Sequence, residues 1–282
     1  LHGDRIVASA NGNDASNAIS ADAAAFAAGV AAGNMQTNDT AGISADADGD
    51  TLQARFDGTA ASRGQVSIDA SSIDAGAHGN QATTAVTLAG TSFSSGVNAP
   101  GSGTVLAGTT ANFADNITAD TGGAGVSVAN VQSNFGGSLI GADAGGDTLG
   151  AFYNSSITGG SSTVNSNAIT ASGGGNDATT SLALSGDNGQ FTAALVNDQY
   201  DTNTVFGGVF GATLGIGVAA SGNAVADANL TLEGNSLTAS AYGNQGDNTL
   251  STDFTNLTLG DGSDPWLAPS SVIDPVGGCD LL

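Results

Sequence analysis

The chain has 282 residues, including 44 glycines and 26 carboxylates but only 3 Lys or Arg residues, and its formal net charge is −23. Such a charge repels nucleic acids and anionic membrane surfaces, which excludes them as partners. Apolar residues still make up 40% of the chain, which argues against disorder, and no apolar run reaches the roughly eighteen residues of a transmembrane helix.

A short pattern recurs along the chain: Ile or Leu, then alternating small residues, then Gly followed in most copies by Asn or Asp. Its eight copies begin at positions 6, 43, 73, 118, 140, 169, 216 and 237. Within each copy apolar residues alternate with polar or very small ones, which is the two-residue period of a β-strand. Because Gly and Asn tolerate positive φ, we predict that each unit is a strand, a tight turn and a second strand.

The spacing of the copies predicts a larger repeat of about 97 residues from position 43 onward, in which 45–56 aligns with 142–153. The predicted organisation has five segments. These are an atypical N-terminal repeat or cap (1–42), a first superrepeat (43–139), a second superrepeat (140–236), a partial repeat (237–260) and a C-terminal tail for capping or subunit joining (261–282).

Two all-β folds fit these intervals. The shorter intervals predict a repeat-built β-solenoid, or β-helix, with about eleven coils of roughly 22 to 30 residues and an irregular C-terminal tail. Tandem β-sandwich domains are the alternative, because roughly 100 residues is also the size of one immunoglobulin-like domain. A sandwich needs a bulky anchor in each repeat, and Trp266, the only Trp, lies outside the repeats. We therefore favour the solenoid.

Asparagines occupy matching positions in the repeated pattern. In stacked coils identical side chains lie above one another, and amides can hydrogen-bond along the axis. We predict structural turn and ladder roles for Asn13, Asn80, Asn176, Asn223 and Asn244.

Catalysis is not expected, and we predict no catalytic residue. Polysaccharide lyases on β-helices commonly use Lys or Arg, of which this chain has almost none. The only histidines are His2 and His78, and Gly174 and Tyr242 occupy the position of His78 in other copies. That variation is typical of a solvent-facing position rather than of a catalytic one.

The stretch DADGD is the candidate metal site. On a strand, its alternate residues Asp46, Asp48 and Asp50 would share one face, where their mutual repulsion favours Ca²⁺. The EF-hand pattern fails, because Thr51 stands where the loop requires glycine, and the aligned DAGGD has Gly145 in place of the middle Asp. A solvated acidic surface is the alternative, so we expect no cofactor and retain calcium as the one candidate.

The C-terminal tail breaks the repeat pattern, since it holds three of the four prolines, the only Trp and the only Cys. Two interpretations stay open: a cap over the last coil, or a segment that adds a strand to a neighbouring subunit. For the second interpretation we predict subunit contacts through Trp266, Leu267, Val272 and Ile273.

The segments NAITASGGGN, NSLTASAYGN and SSIDAGAHGN resemble the strand repeats of secreted alphaproteobacterial surface proteins, notably those similar to holdfast-anchor proteins exported alongside a curli-type pore. The resemblance spans most of residues 6–260. Gln follows Gly-Asn in only two copies, at Gln81 and Gln245, so no regular Gln and Asn ladder of the curlin type is predicted. The resemblance implies an adhesive or fibre-forming role outside the cell, without a cofactor.

These features predict an extracellular structural protein that self-assembles into a filament or anchors adhesive matrix at a bacterial surface. An acidic, Lys-free composition rich in Asn, Thr, Ser and Gly is typical of that location. The expected partners are further copies of the chain, and matrix polysaccharide or an outer-membrane anchor, with no nucleic acid and no membrane span. The alternative is a calcium-, polysaccharide- or ice-binding β-solenoid module, of which the last would need a regular Thr-x-Thr face.

Overall fold

The computed structural model describes residues 1–26, 30–39, 42–57, 64–93, 126–137, 139–191, 193–219, 225–259 and 270–273. The described residues form 19 strands and are otherwise turns and bends. The strands are β1 (Arg5–Phe26), β2 (Val30–Asp39), β3 (Ile43–Asp46), β4 (Thr51–Asp57), β5 (Gln65–Asp69), β6 (Ser72–Phe93), β7 (Val126–Phe135), β8 (Leu139–Asp143), β9 (Thr148–Asn154), β10 (Ile157–Thr158), β11 (Ser161–Asn165), β12 (Ala168–Phe191), β13 (Ala193–Asp201), β14 (Thr204–Gly208), β15 (Thr213–Val218), β16 (Val225–Ala226), β17 (Asn229–Glu233), β18 (Ser236–Leu259) and β19 (Ser270–Ile273).

These strands pair in parallel and form six sheets, which the chain visits in a fixed order. Sheet 1 is β1-β6-β12-β18, sheet 2 is β19-β13-β7-β2, sheet 3 is β14-β8-β3, sheet 4 is β15-β9-β4, sheet 5 is β10-β16 and sheet 6 is β17-β11-β5. After sheet 6 the chain returns to sheet 1 and begins the next coil. The protein is therefore an all-β solenoid, as predicted. Tandem β-sandwiches, whose sheets are antiparallel, are excluded for the described residues.

The coils are much longer than the sequence spacing predicts. Asn13 lies 67 residues before its neighbour Asn80 in the next coil, Asn80 lies 96 before Asn176, and Asn176 lies 68 before Asn244. The prediction of about eleven coils of 22 to 30 residues is therefore wrong. The long second interval includes residues 94–125, which lie outside the described ranges.

The short pattern recurs because it serves several sheets of one coil. The copies at 6, 73, 169 and 237 lie on sheet 1, those at 43 and 140 lie on sheet 3, and that at 216 lies on sheet 4. The alignment of 45–56 with 142–153 is confirmed by the strand register. Leu237, however, stacks on Ile169 rather than on Ile140, so the second interval of 97 residues is not a coil.

The strands of sheet 1 change their inward face at a stacked glycine. In β6, Ala77 points inward before Gly79 and Ala82 points inward after it, and the strand continues through the glycine. On sheet 1 the predicted tight turn is wrong, since these glycines do not have positive φ. The copies on sheet 3 confirm it, because Gly49 and Gly146 lie in turns with φ of 75° and 67°. Glycine is required here for close approach: a Cβ on Gly79 would lie 2.5 Å from the carbonyl oxygen of Gly175 in the next coil. On sheet 1 the repeated Gly therefore marks a corner inside one long strand.

The interior has two apolar cores made of Ala, Val, Ile and Leu, with polar residues between them. The first core lies between the first half of sheet 1 and sheets 3, 4 and 6, and includes Ile73, Ile140, Leu149, Val164 and Ile169. The second lies where the end of sheet 1 faces the start of sheet 2, and includes Val86, Leu88, Val128, Leu182 and Leu195.

Candidate functional site

A ladder of asparagines runs along the axis at the corner of sheet 1. The Nδ2 group of each donates to Oδ1 of the next, at 2.7 Å from Asn13 to Asn80, 2.9 Å from Asn80 to Asn176 and 2.8 Å from Asn176 to Asn244. The structure thus brings together four of the five predicted asparagines, but within a strand and not in a turn. Asn223 lies outside the described residues.

A second ladder faces the first from sheet 2. Gln132 donates to Oε1 of Gln36 at 2.8 Å, and Gln199 donates to Oε1 of Gln132 at 2.9 Å. Each glutamine also donates across to a backbone carbonyl of sheet 1, as Gln132 does to Asp177 at 2.9 Å. Both ladders therefore connect coils along the axis, and the second also ties the two sheets together.

Threonines and asparagines connect the two sheets beside these ladders. Thr84 donates to Oδ1 of Asn130 at 2.6 Å, and Asn130 donates to Oγ1 of Thr180 at 2.8 Å. Thr180 in turn donates to Asn197. All four side chains are buried. Mutually satisfied buried amides favour one register over its alternatives, because a slip would leave several polar groups unpaired.

Sequence reasoning missed the sheet 2 ladder, although the chain carries a signal for it. The pattern Asn-x-Gln-x-Asn or Asp occurs at 34–38, 130–134 and 197–201, and its glutamines are separated by 96 and 67 residues. Those separations are the coil lengths. The sequence prediction considered only Gln after Gly-Asn, at Gln81 and Gln245, and therefore did not detect these glutamines on sheet 2.

On sheet 2, Asp201 places a carboxylate at a position where the preceding coils have an amide. It occupies the position that Asn38 and Asn134 fill in the preceding coils, and only 2% of it is exposed. One oxygen accepts a hydrogen bond from the backbone N–H of Asn203 at 2.8 Å, whereas Oδ2 is buried without a partner. Burial raises the pKa of Asp201 to about 6, although hydrogen bonds from Asn203 and Asn134 act in the opposite direction.

The candidate calcium residues do not share a strand face. β3 ends at Asp46, and Asp48 lies in the following turn, where its N–H donates to Oδ1 of Asp46 at 2.8 Å. Asp50 donates its N–H to Oδ1 of Asp147 at 2.8 Å. Among the residues that the structure describes, no group of three or more His, Cys, Asp or Glu side chains could hold a metal ion. The prediction of three aligned carboxylates is therefore wrong.

The residue at the position of Asp46 on sheet 3 changes from coil to coil. Asp46 stacks on Asp143, but Gly208 takes the same position in the third coil. Asp147 is buried, which raises its pKa to about 6, and repulsion from Asp50 contributes. Asp46 and Asp147 accept hydrogen bonds from backbone N–H groups, whereas Oδ1 of Asp143 is buried without a partner.

The two histidines lie in different surroundings. His78 is half-buried rather than solvent-facing, and its Nδ1 lies 3.2 Å from the hydroxyl of Tyr242, two coils away. Gly174 lies between them, and a Cβ there would come within 2.6 Å of the His78 ring. The exposed His2 lies 3.3 Å from Asp69 on sheet 6.

Of the predicted subunit contacts, Trp266 and Leu267 lie outside the described residues. Val272 and Ile273 lie in β19, which pairs with β13 of the same chain and places Ile273 beside Gln199. β19 follows β18 as β13 follows β12, so the tail returns to sheet 2 in a fourth coil. This geometry agrees with the cap interpretation, and contact with a second subunit stays a prediction.

No helix long and apolar enough to cross a membrane occurs in the part of the chain that the structure describes. Comparison with protein-family models, with curated proteins and with solved structures gave no match. The structural class therefore follows from the fold and its interior alone. The protein is a parallel β-solenoid in which buried amide ladders connect the coils.

Proposed function

We propose that this protein is an extracellular structural protein, without enzymatic activity or cofactor, that self-assembles into a filament or anchors adhesive matrix at a bacterial surface. One observation carries the proposal: the coils stack through backbone ladders and side-chain amides along a single axis, and the stack ends in long strands. Its outer strands in sheet 1 are β1, with 22 residues, and β18, with 24. Long outer strands are templates for further strand pairing.

The buried polar groups support a structural role. Asn80, Asn130 and Gln132 all bond to other interior groups, so they hold the coils together rather than face a substrate. Hydrogen bonds directed along the axis resist a pulling force that would separate one coil from the next. The resemblance to secreted strand-repeat surface proteins supports the same role and location.

The charge of the chain bears on how copies would associate. At −23, copies repel one another at low ionic strength, whereas salt shortens the range of this repulsion to about 8 Å at 0.15 M. Lateral association of copies is therefore unfavourable until cations screen the surface charge. End-to-end stacking of copies gains backbone and apolar contacts.

A groove on sheet 4 favours polysaccharide binding as a second candidate function. The groove has a volume of about 520 Å³, and Gln53, Arg55 and Phe152 line it beside Gly217. A Cβ on Gly217 would lie 2.7 Å from a ring carbon of Phe152, so the glycine leaves room for the ring. Aromatic rings with adjacent polar groups suit sugar binding. Loss of binding to matrix polysaccharide in Phe152→Ala would test this candidate.

Negative-stain electron microscopy with sedimentation velocity tests the main proposal. We expect ordered filaments a few nanometres wide, formed above a threshold protein concentration and favoured by 0.15 M salt over low salt. Monomers at every concentration and ionic strength would contradict self-assembly. If such monomers bound a glycan or Ca²⁺, the binding-module alternative would replace it.

A further inference from the structure

We propose that copies of this chain join head to tail, with the β18 end of one copy stacking on the β1 end of the next and continuing sheets 1 and 6. The inference rests on the proposed function, since it explains how copies assemble. It commits to one partner, a second copy of the chain, and to one strand register.

The last coil leaves an apolar surface uncovered. Leu232, Leu237 and Leu250 are 55%, 53% and 46% exposed. Their neighbours one coil below are buried core residues, as shown by the pairs Val164–Leu232, Ile169–Leu237 and Leu182–Leu250. These leucines are therefore core positions that lack the next coil. Exposed apolar residues over both cores at one end of the stack indicate a binding partner.

The same end also carries an unsatisfied amide. Asn248 stacks on Thr180, and both its Nδ2 and its Oδ1 are buried without a hydrogen-bond partner. Buried polar groups in folded proteins are nearly always paired, so this amide, which is already shielded from water, requires a hydrogen-bond partner. An amide from a further coil would supply both a donor and an acceptor.

The first coil presents matching groups. The register that relates β1 to β6, β6 to β12 and β12 to β18, applied once more, places Ile6 of the next copy on Leu237, Asn17 on Asn248 and Ile19 on Leu250. Asn17 makes only a long bond, 3.4 Å, to the carbonyl of Gly33. The contact therefore joins apolar to apolar residues and amide to amide.

Sheet 6 extends in the same register. Residues 1–3 lie on the outer edge of β5, where Gly3 donates its N–H to the carbonyl of Asp69 at 2.9 Å and His2 bridges to Asp69. The corresponding position in the last strand of sheet 6 is Glu233. In the next copy His2 would lie beside Glu233, and Leu1, 46% exposed, would cover Leu232.

The geometry favours head-to-tail over symmetric pairing. Stacking two β18 ends would reverse the strand direction of sheet 1 and lose the Asn17–Asn248 match, whereas the head-to-tail contact keeps every strand parallel. Sheets 3 and 4 have three strands where sheet 1 has four, whereas residues 1–3 of the next copy add a further layer to sheet 6, so the contact is carried by sheets 1 and 6. A contact between different surfaces does not close on itself, and it generates a filament.

Charged substitutions at each end test the proposal. Leu250→Asp places a carboxylate in the contact, and Thr249→Asp adds the same charge to the same strand on the opposite, outward face. We expect Leu250→Asp to weaken association at least tenfold and Thr249→Asp to assemble like the unmodified chain. Circular dichroism would check that both variants fold.

Mixing gives a sharper result. Leu250→Asp keeps an intact β1 end, and Ile19→Asp keeps an intact β18 end. Each alone should stay monomeric in sedimentation velocity, and a one-to-one mixture should form dimers and nothing larger. Dimers of Ile19→Asp alone would overturn the proposal in favour of β18–β18 pairing.

A disulfide tests the register even if Ile19→Asp does not fold. In one chain Asn17 and Asn248 are three coils apart, about 14 Å, so cysteines at both positions, with Cys279→Ser, can bond only between copies. We expect oxidation to give covalent oligomers with Asn17→Cys and Asn248→Cys, but not with Asn17→Cys and Thr249→Cys.

The interface and the proposed function can fail separately. If the unmodified chain formed filaments that neither the cysteines nor Leu250→Asp affected, this interface would be overturned and the proposed function would stand. Absence of assembly by the unmodified chain would contradict both.

Discussion

Asp201 is a carboxylate in a position that the two preceding coils fill with asparagine. Its pKa is about 6 in the folded protein against 3.8 in the unfolded chain. The folded state therefore binds more protons between these values, and stability falls as the pH rises from about 4 to 7. At neutral pH the buried charge is destabilising, since Oδ2 lacks a partner.

We expect Asp201→Asn to stabilise the protein at pH 7 by about 3 kcal/mol, because a shift of about two pKa units corresponds to roughly that free energy. The new amide would donate as Asn134 does to Asn176 at 2.8 Å. Urea unfolding at pH 7 and pH 4.5 would show the gain at pH 7 shrinking at the lower pH. Asp253→Asn, which removes an exposed carboxylate of equal charge, is the control. An equal effect from both variants would show that net charge alone is responsible.

Gly79 is the second residue whose role is specific. A Cβ there would meet both the Gly175 carbonyl and the Asn134 side chain at 2.5 Å, whereas a Cβ on Gly76 in the same strand meets nothing within 4 Å. We expect Gly79→Ala to lower the free energy of unfolding by about 3 kcal/mol, as overpacking does. Gly76→Ala should change it by less than about 1 kcal/mol. Similar unfolding midpoints for the two variants would contradict the close-stacking role of the corner glycine.

At the level of elements, β19 occupies the edge of β13 within the same chain. Its Ser271 and Ile273 stand beside Asn197 and Gln199, and Oε1 of Gln199 has no hydrogen-bond partner. The strand thus covers the backbone edge of sheet 2, but the Gln ladder does not continue through it. The tail therefore supplies the outermost described strand of sheet 2.

We expect truncation after residue 260 to leave head-to-tail assembly in place, because the proposed contact uses sheets 1 and 6 and not the edge of β13. Light scattering of the truncated and full chains at equal concentration would measure this. A matched control removes only residues 274–282 and keeps β19, and it should behave like the full chain. Loss of assembly on truncation would instead support the interpretation in which Val272 and Ile273 contact a neighbouring subunit.

The elements also show why some features could be predicted and others could not. Alternation of small apolar and polar residues predicted the strands, and the recurrence of Asn80 and Asn176 predicted their stacking, because both signals are local. Coil length could not be read from motif spacing, since Ile43 and Ile73 satisfy the same strand pattern on different sheets of one coil. The pairing of Asn80 with Asn134, at 2.9 Å, joins two sheets and leaves no mark in the spacing of the motif. The burial of Asp201 depends on the same sheet-to-sheet contact.

At the scale of the whole molecule, the solenoid combines a narrow core of small residues with an interior of amides. Little apolar bulk is available to each coil, so stacking has to supply much of the stability, as in repeat proteins whose units contact only their neighbours. The terminal coils lack one neighbour each. The exposed Leu237 and Leu250 are the consequence at one end.

X-ray fibre diffraction from aligned filaments tests the central claim, that the protein is a structural element built by stacking coils along one axis. The account predicts a strong reflection near 4.8 Å along the filament axis, because the strands lie across that axis at the spacing of hydrogen-bonded neighbours. Filaments that placed this reflection across the axis, or a chain that formed no filaments at any salt concentration, would contradict it.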